Sequence, residues 1–131
     1  MPPRVCVFSR LPGRYAITRL APGVSLLPAI LDLPGFVSVT RTADELSIVC
    51  DEAVAPPGEM TERGWDVIKL HGPFALDQVG ILASCVTPLA ERGVSIFTIS
   101  TFDTDYILVK SAQADAAVAA LRAAGHTLAA H

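Results

Sequence analysis

The chain has 131 residues, 51% of them hydrophobic, enough to bury a core for one domain of ordinary size or two very small ones. Ten Lys and Arg against 13 Asp and Glu leave a net charge of −3 with no basic run, so a nucleic-acid backbone is not an expected partner. The opening MPPRVCVFSRLPGRYAITRL is broken by Arg4, Arg10, Pro12 and Gly13, and no later stretch is long and apolar enough to cross a bilayer; the expectation is a soluble, cytoplasmic protein with no membrane contact. Three widely spaced cysteines, Cys6, Cys50 and Cys85, read as reduced core thiols, and no zinc-type spacing is present.

In chain order, Val5 to Phe8 is a short apolar run that fits a strand, assigned here to the fourth strand position of the first half. Tyr15 to Leu20 is an opening strand, followed by a proline-led segment, APGVSLLPAILDLPG, and then by a hairpin over Phe36 to Val49. PPGEMTERG is only a stub where a second helix would stand. Trp65 to Leu70 opens the pattern again. Asp77 caps a helix in which Val79, Leu82, Ala83, Val86 and Ala90 share a face, Pro88 kinks it, and Gly93 ends it. On that projection Ile81 falls outside the apolar stripe and Cys85 at its margin.

A second hairpin follows, Val94 to Ser100 and Tyr106 to Lys110. Ser111 caps an Ala-rich helix over Ala112 to Ala124, Gly125 stops it, and a short strand follows His126. The order of the second half is β-α-β-β-α-β. FVSVTRTADELSIV superposes on IFTISTFDTDYILV without a gap, setting Val39 over Ile99, Glu45 over Asp105 and Val49 over Val109. Two copies of one unit follow, 1–62 and 63–131, the first a scaffold and the second a ligand bearer. Phe97, Ile99, Ile107 and Val109 set against Ile96, Tyr106 and Leu108 leave both sheet faces apolar, which calls for a covering copy.

The run GILAS…PLA..G.SIF.ISTFDTDYILV, with DELSIVC and the PGRYAITRL opening, resembles the small bacterial tandem ACT-domain proteins, relatives of the eukaryotic cytosolic arginine sensors, from about Tyr15 to Gly125. That resemblance implies an α+β fold of two ferredoxin-like (βαββαβ) ACT units in tandem, antiparallel sheets with helices on one face. It implies an amino acid or similar small effector as partner, held between domains, with contacts on Gly80, Ile81, Leu82, Thr101, Phe102 and Asp105. The sensors combine four ACT units, so a homodimer is the expected way for this shorter chain to bring two glycine-led copies together.

First-turn amides beside Gly80 offer donors to a carboxylate, Asp105 offers a partner to an ammonium, Ser100 and Thr101 fix orientation, and Phe102 supplies an apolar wall. The alternative is structural: Gly80 permits close packing, and Asp105 with Thr104 only shapes a turn. No nucleophile, base and oxyanion donor assemble, so no catalytic residue, metal ligand or cofactor is assigned and the chain is read as no enzyme. Asp103 and Asp105 are too few for a hard cation. His71 reads as a loop or edge residue, His126 as a complement to a helix C-terminus, His131 as a frayed end, and Trp65 as a packing anchor.

Overall fold

The computed structural model describes residues 5–25, 28–56, 60–71 and 80–129, so the expected cap Asp77, stripe residue Val79 and terminal His131 lie outside them. The chain divides into two compact units, one of residues 13–65 and one of residues 1–12 with 66–131. The division runs inside a single strand.

In the 13–65 unit, β2 (Tyr15–Leu20) pairs antiparallel with β4 (Leu46–Asp51), and β4 pairs with β3 (Ser38–Arg41). The other edge of β2 takes the first half of β5 (Met60–Leu70), giving the order β3-β4-β2-β5. Residues 60–64 of the segment read as a helix stub are therefore strand. Pairing jumps from Tyr15↔Trp65 to Ile17↔Glu62, a bulge that leaves Arg63 and Gly64 facing one residue of β2. Gly64 adopts φ +80 there, and its N–H donates to Glu52 Oε2 at 2.9 Å. An added Cβ would meet nothing within 4 Å, so Gly64→Ala tests backbone conformation alone. It is expected to cost about 1 kcal/mol in urea unfolding; unchanged stability would contradict the need for a left-handed residue at the bulge.

The core of this unit is Leu20, Leu46, Ile48 and Cys50, with Ile30, Leu33, Val37 and Val39 packed against it. Burial and the neighbouring Asp51 charge raise the pKa of the Cys50 thiol, consistent with a reduced packing residue. Among its described residues the proline-led segment carries a 3₁₀ turn over Pro28–Asp32, and its prolines lack the donors a longer helix needs.

In the other unit the strand order is β6-β7-β5-β1-β8, with β1 at Val7–Arg10, β6 at Ile96–Ser100, β7 at Asp105–Lys110 and β8 at Thr127–Leu128. Helix α1 (Ile81–Glu91) follows β5, and α2 (Ala114–Ala123) follows β7. The assignment of Val5 to Phe8 to the first half is corrected here. β1 pairs antiparallel with the second half of β5 and parallel with β8, inserting between the first and last strands of the β-α-β-β-α-β series. The fourth position of the first unit belongs to Met60–Trp65 instead.

One apolar cluster joins the elements: Phe8 of β1, Ile68 and Leu70 of β5, Cys85 and Leu89 of α1, Ile107 and Val109 of β7, and Ala114, Ala117, Ala120 and Leu121 of α2. Three buried alanines along α2, Ala114, Ala117 and Ala120, let that helix approach closely, as its composition suggests. The expected stripe of α1 is corrected by roughly one residue. Its buried positions are Ile81, Cys85 and Leu89, with Leu82 and Val86 partly buried beside them, while Ala83 and Ala90 are exposed. Ser111 does not cap α2 either. Ser111–Gln113 is a 3₁₀ turn, and the Ser111 hydroxyl donates to Asp66 Oδ1. Asp66 also accepts from Arg10 at 2.8 Å, and Arg10 reaches Asp115 at 3.0 Å, so a nearly buried carboxylate is fully partnered.

Candidate functional site

Glycine ends both helices in the same manner. Gly93 at φ +72 follows α1 and Gly125 at φ +98 follows α2, and the next residue in each case bonds back into the last turn, Val94 N–H to Leu89 O at 3.0 Å and His126 N–H to Leu121 O at 3.1 Å. The second of these turns aims the His126 ring inward, where it is 4% exposed. Its Nε2 lies 2.9 Å from the Ser84 carbonyl. That carbonyl belongs to the residue four before Pro88, which has no N–H to return to it. His126 thus supplies the hydrogen bond that the proline withholds, and α1 continues through Pro88. Sequence reading placed His126 at a helix C-terminus; it serves the middle of the neighbouring helix.

The same ring meets two thiols. Cys6 N–H donates to His126 Nδ1 at 3.1 Å, the Cys6 and Cys85 sulfurs are 3.4 Å apart, and Cys85 Sγ lies 3.7 Å from Nε2. Cys85 is wholly buried at the centre of the α1 stripe, not at its margin. A hydrogen bond from the Cys85 thiol lowers the pKa of Cys6 to about 7 against burial that would raise it. The same hydrogen bond, then burial, raises that of Cys85, with Asp105 adding a smaller electrostatic push. Alkylation of Cys6 by iodoacetamide is therefore expected to rise through a midpoint near 7, below the ordinary thiol value of 9.0; a midpoint at 9.0 would contradict this. No local motif announces the trio. Its members are 79 and 41 residues apart in sequence, and only the sheet order that inserts β1 beside β8 brings them together.

The expected ligand residues occupy one end of this unit. Gly80 caps α1 with φ +90 and, having no side chain, leaves the first-turn amides without a side-chain cap. It lines a shallow groove of about 400 Å³ with Ala83, Ser84, Thr87, Ala124 and His126. Ile81 is buried on the core side, which corrects its expected outward placement, and Leu82 is half-buried. The hairpin end is tied to the end of β5, where Thr104 Oγ1 donates to the carbonyl of Leu70.

Ser100 pairs with Asp105 across the hairpin and donates its hydroxyl to that carboxylate. Thr101 N–H donates to Thr104 O at 2.8 Å, closing the turn. Phe102 stands at the tip, 78% exposed. None of the four hairpin residues lines the groove beside Gly80. The register also revises the expected faces. Ile96, Ile107 and Val109 face the helices with Asp105, while Phe97 pairs with Leu108 and Ile99 with Tyr106 on the other side.

A family model described as "ACT domain" matches residues 60–123, and a second model, for an N-terminal domain, matches residues 13–57. A protein of Agrobacterium tumefaciens with a solved crystal structure is 42% identical, covers 98% of this chain and 96% of its own, and superposes with a TM-score of 0.87. The chain is an ACT-domain protein of that family. It is related to the human cytosolic arginine sensor for mTORC1 subunit 1, 35% identical over 86 residues that cover 57% of this chain. The match covers 26% of that sensor, so this chain spans about a quarter of its curated relative. The aspartate kinase of Clostridium acetobutylicum shares the fold alone, at 12% identity and a TM-score of 0.65 over 95% of this chain and 36% of the kinase. No helix among the described residues is long and apolar enough to cross a membrane.

Proposed function

We propose that this ACT-domain protein is a non-catalytic regulatory module that binds a free amino acid or a similar small effector, with both units acting as ACT units in tandem. The observation that supports the reading is the ACT-domain match over residues 60–123, together with an α1 start at Gly80 that no side chain caps; in this reading Asp105 is the group that meets the ligand from the hairpin. Amide donors at a helix start suit the ligand carboxylate, and Asp105 suits its ammonium; each offsets a charge that would otherwise be costly to desolvate. Ile81 and Leu82 contribute through their main chain, Ser100 and Thr101 through hydroxyls, and Phe102 as an apolar lid. The relative named an arginine sensor and the regulatory kinase fold support effector binding of this class.

The site is open in one chain, since Ser100, Thr101 and Phe102 are all exposed. A second copy completes it in this reading. A homodimer would bring the two glycine-led ends together and enclose the ligand between copies. The setting is cytoplasmic, as for the sensor relative. Isothermal titration of the dimer with each of the twenty amino acids tests the reading. Saturable binding of one or a few supports it, and silence from all twenty in a folded dimer contradicts it.

Ser100 already donates to Asp105. That bond favours a second reading, a ligand-free interaction domain in which the carboxylate only shapes the hairpin. It predicts the same silence in calorimetry with dimerisation intact.

A further inference from the structure

We infer that Cys6 and Cys85 form a reversible dithiol–disulfide site, in which Cys6 attacks a small-molecule disulfide such as glutathione disulfide and Cys85 resolves the adduct. The two sulfurs are already in van der Waals contact at 3.4 Å, and a bond of about 2.05 Å requires side-chain movement of little more than an ångström. The backbone at Cys6 is held on both sides, its N–H by His126 Nδ1 at 3.1 Å and its carbonyl by Thr127 N–H at 3.0 Å, so the sulfur is presented to Cys85 by a fixed main chain. Cys6 is only half-buried and follows Val5, which is 60% exposed, whereas Cys85 is wholly buried, so of the two it is Cys6 that meets an oxidant from solvent. The roles of attacking and resolving thiol follow from that asymmetry.

The chemistry balances without a further reagent. The Cys6 thiolate attacks one sulfur of the small disulfide, forming a mixed disulfide and expelling one small thiolate. Once its sulfur is bonded, Cys6 no longer accepts the hydrogen bond that chiefly holds the Cys85 proton in place. Cys85 then loses that proton to the departing thiolate and attacks the Cys6 sulfur, expelling the second small thiolate. That thiolate takes up a proton from water, equal to the one Cys6 released on ionising, so two protein thiols are oxidised and one small disulfide is reduced to two thiols.

A metal ion fits the same trio less well. Cys6 N–H can only donate and the Ser84 carbonyl can only accept, so His126 Nδ1 bears the occupied lone pair and Nε2 the proton; both ring nitrogens are engaged within the protein. Binding a cation through His126 would give up one of these bonds.

The test incubates the reduced full chain with excess glutathione disulfide, followed by acid quench, intact mass and peptide mapping. The expected product has lost two hydrogens, carries a Cys6–Cys85 linked peptide, and keeps Cys50 as its one alkylatable thiol of three. Cys85→Ser should stop at a glutathione adduct on Cys6, and Cys6→Ser should yield neither product. The inference is overturned if the wild type accumulates the adduct as Cys85→Ser does, if all three thiols stay alkylatable, or if the isolated protein carries one equivalent of zinc that shields both thiols.

Discussion

Asp105→Ala is expected to weaken binding of the amino acid identified by calorimetry about hundredfold, the equivalent of about 2.8 kcal/mol, because the ligand ammonium loses its charged partner in a site closed to water. Thermal stability should hardly move. Asp105 is half-exposed, and its hydrogen bond within the chain comes from a hairpin neighbour, Ser100, that can turn to water. Asp105→Asn sharpens the result, since an amide oxygen still accepts from Ser100 while the charge is gone. If affinity falls equally in both variants, the charge is what binds. Unchanged affinity in either one removes Asp105 from the site and leaves the ligand-free reading.

The second large effect lies inside the unit. His126→Ala is expected to cost about 2–4 kcal/mol, since it strands the Ser84 carbonyl and the Cys6 amide and opens a cavity in place of a ring that is 4% exposed. Pro88→Ala restores to α1 the N–H that Ser84 lacks. In the wild-type background that change should be close to neutral, because His126 already fills the role. In the His126→Ala background it should recover about 1 kcal/mol, as a double-mutant cycle in urea would read. Equal effects of Pro88→Ala in both backgrounds would show that the ring and the proline are energetically independent.

The second unit was readable from sequence because its signals are local. Apolar alternation and a short polar connection mark the β6–β7 hairpin, and Gly93 and Gly125 mark the ends of α1 and α2. The helix faces and pair registers were less legible. In α1 the rows Ile81, Cys85, Leu89 and Leu82, Val86, Ala90 are both apolar at helical spacing, so periodicity alone did not say that the first is the buried one and Ile81 lies inside.

The gapless overlay of the two hairpins failed for a related reason. Arg41 pairs with Leu46 in the first and Ser100 with Asp105 in the second, so the first turn lies one residue later than the overlay implies. In a structure of period two, one residue exchanges the faces. Leu46, Ile48 and Cys50 therefore point to the first core, where the overlay would send Ser47, Val49 and Asp51. Glu45, aligned with Asp105, falls in a turn, its carbonyl accepting from Thr42 at 2.9 Å, and is no counterpart to it. The Cys6, Cys85 and His126 trio was invisible for a different cause: it depends on a strand insertion that no periodicity encodes.

Two-dimensional amide NMR of the dimer, titrated with the amino acid that binds, tests the central claim most directly. Shift changes clustered at Gly80 to Ala83 and at Ser100 to Asp105, saturating together, are the result this account predicts. Saturable changes confined elsewhere, with both of those stretches unmoved, would contradict it.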